Sequence, residues 1–478
     1  MEPYFSNDEF LIIMNSILKK STIVTFALLL SGCANMSVGN LFSHYSAQTN
    51  DVYQLVKSGE AKQAYTLEEQ EVGGPILDNM ELGRIALLSE QYAESKTDFE
   101  VAEQAARVQS DQATISVSDS ANQVGSLVTN DNLIDYKPAD YELGYLHLYL
   151  SLNYLKNNDL EGALVEVRKA NYIQEQAKRD REKDLRKAEK EAKKEGVKAN
   201  VGAILANYPD VGNQLAAVQN GYLFYYSGLL YETNRSLNDA YIDYKRALAV
   251  APNNKTVIES VQRVARKLGM RNDIKMLEKQ YGAYQVPKRS DSRVIIIDEQ
   301  GILSPLSDWR LGLPMWDSQG NFVQYNLALP YYKNIKRQVF PPLKVNGKSL
   351  ASDQVADVTL MAKNDLNERI PAMVIRQALR VVAKDELRKT SRNSKEEELV
   401  NAVFTIFNTL TEQPDTRSWQ TLPAQISVTS MSIEPGKNQI QYQGNELDFT
   451  VKEGHTVVVW SSRQGNAVTW WHKQLGEI

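Results

Sequence analysis

Residues 221–252 read GYLFYYSGLLYETNRSLNDAYIDYKRALAVAP, and the rest of the chain is organised around this stretch. Its apolar residues recur at helical spacing and predict two short amphipathic helices. A polar turn at 233–236 separates them, and Pro252 ends the second, because proline cannot continue a helix. Gly228 and Ala240 are small where the two helices would cross, so the backbones can approach closely.

The order of residue types in this stretch matches the tetratricopeptide repeat (TPR), a helix–turn–helix unit that stacks into arrays. The residues that carry the match are Phe224, Ser227, Gly228, Tyr231, Ala240, Tyr244, Ala247 and Pro252. A hairpin from some other all-α fold is the alternative interpretation. Because a single repeat cannot bury its own apolar face, the pattern predicts further copies.

Two such copies lie upstream, at 145–170 and, in weaker form, at 82–102. In these copies Ser151 and Gly83 take the place of Gly228. Long insertions separate the copies, so we expect an interrupted array instead of a regular solenoid. A closing helix pair over 256–284 is expected to cap it.

The sequence as a whole predicts an α+β multidomain protein. An interrupted, TPR-like helical array comes first, and a C-terminal α+β domain with antiparallel strands and a helical hairpin follows. At 478 residues, 42% of them apolar, the chain can bury a large core. The predicted parts are a tether with a first helix at 33–74, the repeats at 75–286 with insertions at 109–138 and 177–200, and the α+β domain at 290–478.

The C-terminal part changes to a strand-rich composition after a polar linker at 287–292. Its helices are predicted at 357–389, interrupted at Pro371, and at 396–410. Its strands are predicted at 293–298, 322–329, 339–345, 425–433, 439–442, 456–460 and 467–471.

The insertion at 177–200 mixes many lysines and arginines with acidic residues. Leu185, Ala188 and Ala192 give it only a thin apolar stripe, which favours a solvated helical arm that extends a repeat helix. The alternative is a basic surface for anionic partners such as lipid A phosphates, and the interspersed acids weaken it.

The N-terminus has the features of a targeting segment. Two lysines precede an apolar run at 21–30, which is too short to span a membrane. The following LSGCA around Cys33 resembles a bacterial lipobox, in which the cysteine is acylated and becomes the new N-terminus. We therefore expect residues 1–32 to be a signal segment. Because 1–13 is acidic, Met14 is the expected start.

Ala34 follows the lipobox cysteine, where an aspartate would be read as retention in the inner membrane. By this resemblance the protein is an outer-membrane lipoprotein that faces the periplasm and is anchored by lipid, such as palmitate, on Cys33. An ordinary secretory signal with a chance cysteine is the alternative.

Taken together, these features are similar to a family of Gram-negative TPR outer-membrane lipoproteins whose biochemical role is unassigned. The motifs that carry the resemblance are the lipobox, LYLSLNY at 148–154, YSGLLYE at 226–232, DTRSW at 415–419 with Leu422-Pro423, and EPG at 434–436. The resemblance implies an architecture and a location, and it does not imply a function.

No motif in the sequence indicates catalysis, and we expect no enzyme activity, cofactor or metal. The four histidines are scattered, and no HExxH, GxxxxGK[ST], GxGxxG or GxSxG pattern stands in a suitable context. A net charge of −5 argues against nucleic acid as a partner. The densest polar–aromatic cluster is Asp415, Arg417 and Trp419. It is interpreted either as a binding site or, more simply, as an ion pair beside an aromatic residue packed on the sheet.

The favoured function is a lipid-anchored adaptor or scaffold that grips an unknown envelope protein with its repeats, in cell-envelope assembly or its regulation. TPR arrays bind extended peptides in the groove formed by their first helices. Here the residues expected to line that groove are Tyr145, Leu148, Leu152, Tyr222, Tyr225 and Leu229. The alternative is a structural or regulatory cell-wall or outer-membrane factor that recognises its target with the C-terminal domain. An enzyme on envelope polymers is the least favoured class.

Overall fold

Helices form the first part of the described chain, and strands form most of the second. The computed structural model describes residues 44–67, 72–116, 135–194, 219–286, 288, 290–316, 322–351, 353–391 and 413–478. The helices are α1 Tyr45–Gln48, α2 Asn50–Ser58, α3 Ala61–Leu67, α4 Pro75–Leu88, α5 Tyr92–Ser116, α6 Asp140–Lys156, α7 Leu160–Lys194, α8 Gly221–Thr233, α9 Leu237–Val250, α10 Lys255–Lys267, α11 Arg271–Tyr281 and α12 Val358–Ser391. The α+β class predicted from the sequence is confirmed.

Four helix pairs, α4–α5, α6–α7, α8–α9 and α10–α11, are joined by the same turn. In each turn one residue adopts a left-handed conformation, and the next residue donates its N–H to a carbonyl five residues back. The left-handed residues are Glu90, Asn158, Arg235 and Gly269, and the bonds are Gln91–Ala86, Asp159–Tyr154, Ser236–Tyr231 and Met270–Ala265, at 2.9–3.0 Å. This bond satisfies a carbonyl at the end of the first helix and sets the direction of the second.

Small residues allow the paired helices to cross closely, as the sequence predicts. A Cβ on Gly228 would lie 2.8 Å from the ring of Tyr244, and one on Gly83 would lie 2.7 Å from the ring of Phe99. At the equivalent position of the α6–α7 pair, the Ser151 hydroxyl donates to the carbonyl of Ala163 at 2.8 Å. The same contact site therefore recurs in three pairs.

The strands of the C-terminal part form three sheets. A five-stranded sheet has the order β11-β10-β1-β7-β6, a four-stranded sheet has the order β5-β4-β8-β9, and β2 pairs with β3. The strands are β1 Ser292–Gln300, β2 Leu306–Trp316, β3 Phe322–Tyr332, β4 Lys344–Val345, β5 Lys348–Ser349, β6 Gln354–Asp357, β7 Gln425–Ile433, β8 Gly436–Tyr442, β9 Asn445–Val451, β10 Thr456–Gln464 and β11 Ala467–Gly476.

The five-stranded sheet is covered on both faces. Ile295 and Ile297 of β1 belong to the large core that the sheet shares with the helices, whereas Val294 and Ile296 belong to a second core with the four-stranded sheet. This arrangement explains the uninterrupted apolar run in β1, because alternate side chains of a strand point to opposite faces. In the described residues, the helices, the large sheet and the small sheet thus form three layers.

Tertiary contacts group Tyr45–Ile478 as one compact unit. The polar linker at 287–292 marks the change from helices to strands, and the hydrophobic core is continuous across it. Whether protease cuts at this linker stays a prediction.

Three details of the C-terminal part differ from the sequence prediction. Helix α12 continues through Pro371, although proline removes one helical hydrogen bond, because its later residues Ala372 and Ile375 pack on α7. Strand β1 pairs with β10 in parallel, whereas only antiparallel strands are predicted. Strands β2, β5, β6 and β9 are missing from the prediction, and only Lys344–Val345 of the strand predicted at 339–345 is observed. Strand β2 contains Gly312 and Pro314, which are unfavourable in strands.

The charged arm is helical up to Lys194, as predicted, and its thin apolar stripe packs on α12. Leu185, Ala188 and Ala192 contact the cluster formed by Ala372, Ile375 and Leu379. Other predictions lie outside the described residues: the signal segment with Met14 and Cys33, most of the insertion at 109–138, the end of the arm, and the helix at 396–410.

Candidate functional site

The six residues predicted to line an open groove are all buried. Tyr145, Leu148, Leu152, Tyr222, Tyr225 and Leu229 expose at most 1% of their surface and belong to the core shared by helices and sheet. The prediction of an open groove on this face is therefore wrong. The protein's own five-stranded sheet occupies the inner face of the helical array.

The backbones of α8 and β6 approach each other closely on this face. Gly221 begins α8, and a Cβ there would lie 2.3 Å from the carbonyl oxygen of Val355 in β6. Only glycine allows the strand to approach the helix so closely. The side chain of Asn254 at the start of α10 also donates to the carbonyls of Asp353 and Val428, at 2.9 and 3.3 Å.

A buried ion pair joins the helices to the centre of the large sheet. Arg84 of α4 and Glu299 of β1 lie 2.6 Å apart, and neither side chain is exposed. The indole of Trp460 donates to Glu299 at 3.1 Å, and the hydroxyl of Tyr149 donates to it at 3.3 Å. Burial raises the pKa of the Glu299 carboxyl, and Arg84 opposes that shift. Loss of one partner would leave a buried charge uncompensated, so this pair holds the layers together.

The cluster around Asp415, Arg417 and Trp419 is also part of the fold. Arg417 is paired with Asp415 at 2.7 Å, which confirms the simpler interpretation for these two residues. Trp419 is buried and packs against the rings of Phe99 and Tyr149 on the helices, within the core that the helices share with the sheet.

Two helix carboxylates hold the backbone of this segment. Glu142 accepts the N–H of Trp419 at 2.8 Å, and Glu81 accepts the N–H groups of Gln420 and Thr421 at 2.6 and 3.2 Å. These bonds satisfy backbone donors of an irregular buried segment, which would otherwise cost free energy. The segment therefore connects the helices to the strand-rich part through these buried hydrogen bonds.

The exposed apolar side chains of the array lie on the outer face, on the second helix of each pair. Val165, Ile242 and Met276 are 41%, 51% and 62% exposed, and they occupy the same position relative to their turns. Tyr172 of α7 is 64% exposed. This face was not predicted from the sequence. A signal was present, because Ile242 and Met276 are large apolar residues 34 positions apart, outside the apolar face that packs each helix.

A cleft of about 250 Å³ lies on this outer face between α7 and α9. Its lining residues are Arg168, Asn171, Tyr172, Glu175, Tyr231, Asp239, Ile242, Asp243 and Arg246. Hydrogen bonds connect the residues of its floor: the Ser227 hydroxyl donates to Asp243 at 2.6 Å, and the Asn171 amide donates to both of these residues. Arg246 is paired with Glu175 at 2.8 Å on the rim. The cleft therefore combines exposed apolar groups with charges of both signs.

Within the described residues, no group of three or more potential metal-ligating side chains is present. His147, for example, lies 2.6 Å from Glu166 in a buried pair. No helix among these residues is long and apolar enough to cross a membrane.

No known family model matches the chain, and no curated protein matches it at a significant level.

Proposed function

We propose that the protein is a lipid-anchored adaptor or scaffold of the cell envelope, which binds a partner protein through the outer face of its helical array. The anchor is lipid on Cys33, and the location is the periplasmic side of the outer membrane. Both parts rest on the lipobox-like sequence. No catalytic step is part of the proposal.

The assignment of the array to the TPR class belongs to this proposal as well. It is supported by the recurring turn and by the Gly83–Phe99 and Gly228–Tyr244 crossings. TPR-like arrays commonly serve as protein-binding scaffolds, and their stability depends on neighbouring repeats. Here the sheet covers the inner face of the array, so a partner would bind to one of the exposed surfaces.

The observation that carries the proposal is the row of exposed apolar side chains on successive second helices. Val165, Ile242 and Met276 recur at one repeat position, and Tyr172 lies beside the cleft between α7 and α9. Large apolar groups on a surface cost solubility, and Tyr172 and Ile242 line the same cleft, which favours an interaction site over isolated exposed residues. Tyrosine in particular is enriched among residues that dominate binding energy.

Site-specific photo-crosslinking tests this proposal in the lipidated protein. A photoreactive phenylalanine analogue is placed at Ile242, at Tyr172 or, as a matched exposed position in the C-terminal part, at Val339, which is 89% exposed. We expect one envelope protein to crosslink from Ile242 and Tyr172 and not from Val339.

The double variant Tyr172→Ala with Ile242→Ala should abolish that crosslink from a probe at Val165 without changing the melting temperature. Crosslinks from Val339 alone would support recognition by the C-terminal part and would overturn the outer-face assignment.

A further inference from the structure

A cavity of about 690 Å³ lies where the last helix pair meets the beginning of β1. One wall is formed by α10 and α11, and the other by the ends of β1 and β7; the connection after α11 borders it. Its volume falls within the range of about 300–1,000 Å³ that is typical of small-molecule sites. Its lining residues differ from those of the outer-face cleft, so it is a second potential binding site.

Basic side chains dominate the lining of this cavity. They are Arg235, Lys255, Arg263, Lys267, Lys288 and Arg293, and the acidic side chains in the lining are Glu259, Asp291 and Glu477. Positive charge therefore outweighs negative charge in a partly desolvated space, where electrostatic interactions are stronger than in water.

One buried carboxylate, which does not itself line the cavity, binds two of these cations. Glu232 of α8 has no exposed side-chain surface; it accepts bonds from Arg263 at 2.7 and 3.0 Å and from Lys267 at 3.0 Å. Burial alone would raise the pKa of Glu232, but Arg263 and Lys267 hold it well below its usual value. A single negative charge thus fixes two cations in place, and it leaves one positive charge in excess.

Arg293 at the start of β1 adds a second guanidinium to this region. It donates to the Thr456 hydroxyl at 3.1 and 3.3 Å and to the main-chain oxygen of Ile478 at 2.8 Å. Burial lowers the pKa of the Arg293 guanidinium, and the nearby Arg263 lowers it further. Arg263 and Arg293 thus place two guanidinium groups on the lining of one cavity, where an oxyanion could accept hydrogen bonds from both.

The rest of the cavity offers an apolar wall. Ile258, Tyr281, Tyr284 and Met431 line it, and Arg266 lies 5.8 Å over the ring of Tyr284. A ligand with a flat or aliphatic body could pack on these side chains while its charged end meets the cations.

We propose that this cavity binds a small amphipathic molecule through an oxyanion, a phosphate or a carboxylate, held by Arg263, Lys267 and Arg293. Guanidinium groups match the geometry of both phosphate and carboxylate. Separate phosphate and carboxylate probes therefore distinguish the two kinds of ligand.

Isothermal titration calorimetry on the full-length protein tests the proposal with three probes: phenyl phosphate, benzoate and inorganic phosphate. We expect phenyl phosphate or benzoate to bind, and whichever binds tighter identifies the oxyanion. Inorganic phosphate should bind at least about tenfold more weakly than phenyl phosphate, because it lacks a body to bury.

Arg293→Gln should weaken the better probe by about 10- to 100-fold, which corresponds to the loss of charged hydrogen bonds. Lys267→Gln, at a side chain that is one-third exposed, is the second variant if Arg293→Gln does not fold. Lys437→Gln removes an exposed charge on β8 and serves as the matched control.

Absence of heat from both aromatic probes at millimolar concentration would overturn the proposal. So would equal weakening by Lys437→Gln, because binding would then follow net charge and not this cavity. Binding of inorganic phosphate as tight as that of phenyl phosphate would overturn the role of the apolar wall.

Discussion

Gly228→Ala tests the helix crossing at Gly228, a contact that Gly83 and Ser151 make in two other helix pairs. The added Cβ would lie 2.8 Å from the Tyr244 ring. That ring cannot move easily, because its hydroxyl donates to the buried Glu232 at 3.0 Å and it packs on Tyr225 with centroids 5.5 Å apart. Overpacking of this kind costs about 1–3 kcal/mol.

Gly144→Ala is the matched control for this prediction. Gly144 also lies inside a helix, but a Cβ there would meet nothing within 4 Å. Both substitutions gain about 0.5–1 kcal/mol from the better helix propensity of alanine, so this gain cancels when the two variants are compared. Gly228→Ala should therefore be less stable than Gly144→Ala by about 1–3 kcal/mol.

Urea unfolding followed by circular dichroism measures this difference in the free energy of unfolding, provided that the two variants have the same m-value. In a Tyr244→Leu background the penalty of Gly228→Ala should shrink, because the ring that it meets is gone. Equal stability of Gly228→Ala and Gly144→Ala would refute the crossing geometry, and with it the basis for comparing the helix pairs.

Three further predictions address the anchor, the buried charges and the junction. Cys33→Ala should abolish acylation and leave an uncleaved form, detected by mass spectrometry of membrane fractions; a mature outer-membrane species would contradict the lipobox interpretation. Glu232→Gln should destabilise the protein by about 3–5 kcal/mol at pH 7, because Arg263 loses its buried partner. Since the folded-state pKa of Glu232 is lowered, the stabilisation is present above its unfolded pKa of about 4.3 and is lost as the pH falls toward the folded value, so wild type and variant should converge in acid. Protease that cuts at the linker 287–292 should leave both fragments associated on a native gel, because they share one core; separation without urea would contradict that core.

The helix pairs could be predicted from the sequence because their determinants are local. The small residue at 228 and the aromatic residue at 244 are read directly from the chain, and helical periodicity follows from neighbouring residues. The pairing of β1 with β10 could not be predicted in this way, since Arg293 and its partner Thr456 are far apart in sequence. Register between distant strands depends on the whole fold.

The burial of the predicted groove residues also depends on tertiary structure that the sequence does not show locally. Tyr222 and Tyr225 carry aromatic rings that suit both a partner site and a core, and only the position of the sheet decides between them. One sequence signal pointed the right way: the run Val294–Ile297 is apolar at every position, which indicates a strand covered on both faces. In the structure, the helices form one of these two covers.

Thiol labelling tests most directly whether the protein's own sheet seals the inner face. In a Cys33→Ser background, Leu229→Cys places a thiol on that face and Ile242→Cys places one on the outer face; the native residues are 0% and 51% exposed. We predict that a maleimide labels the Ile242→Cys protein rapidly in native buffer, and that it labels the Leu229→Cys protein only after urea is added. Rapid labelling of a folded Leu229→Cys protein would show that the inner face is open, and it would contradict the packing of the sheet against the helical array.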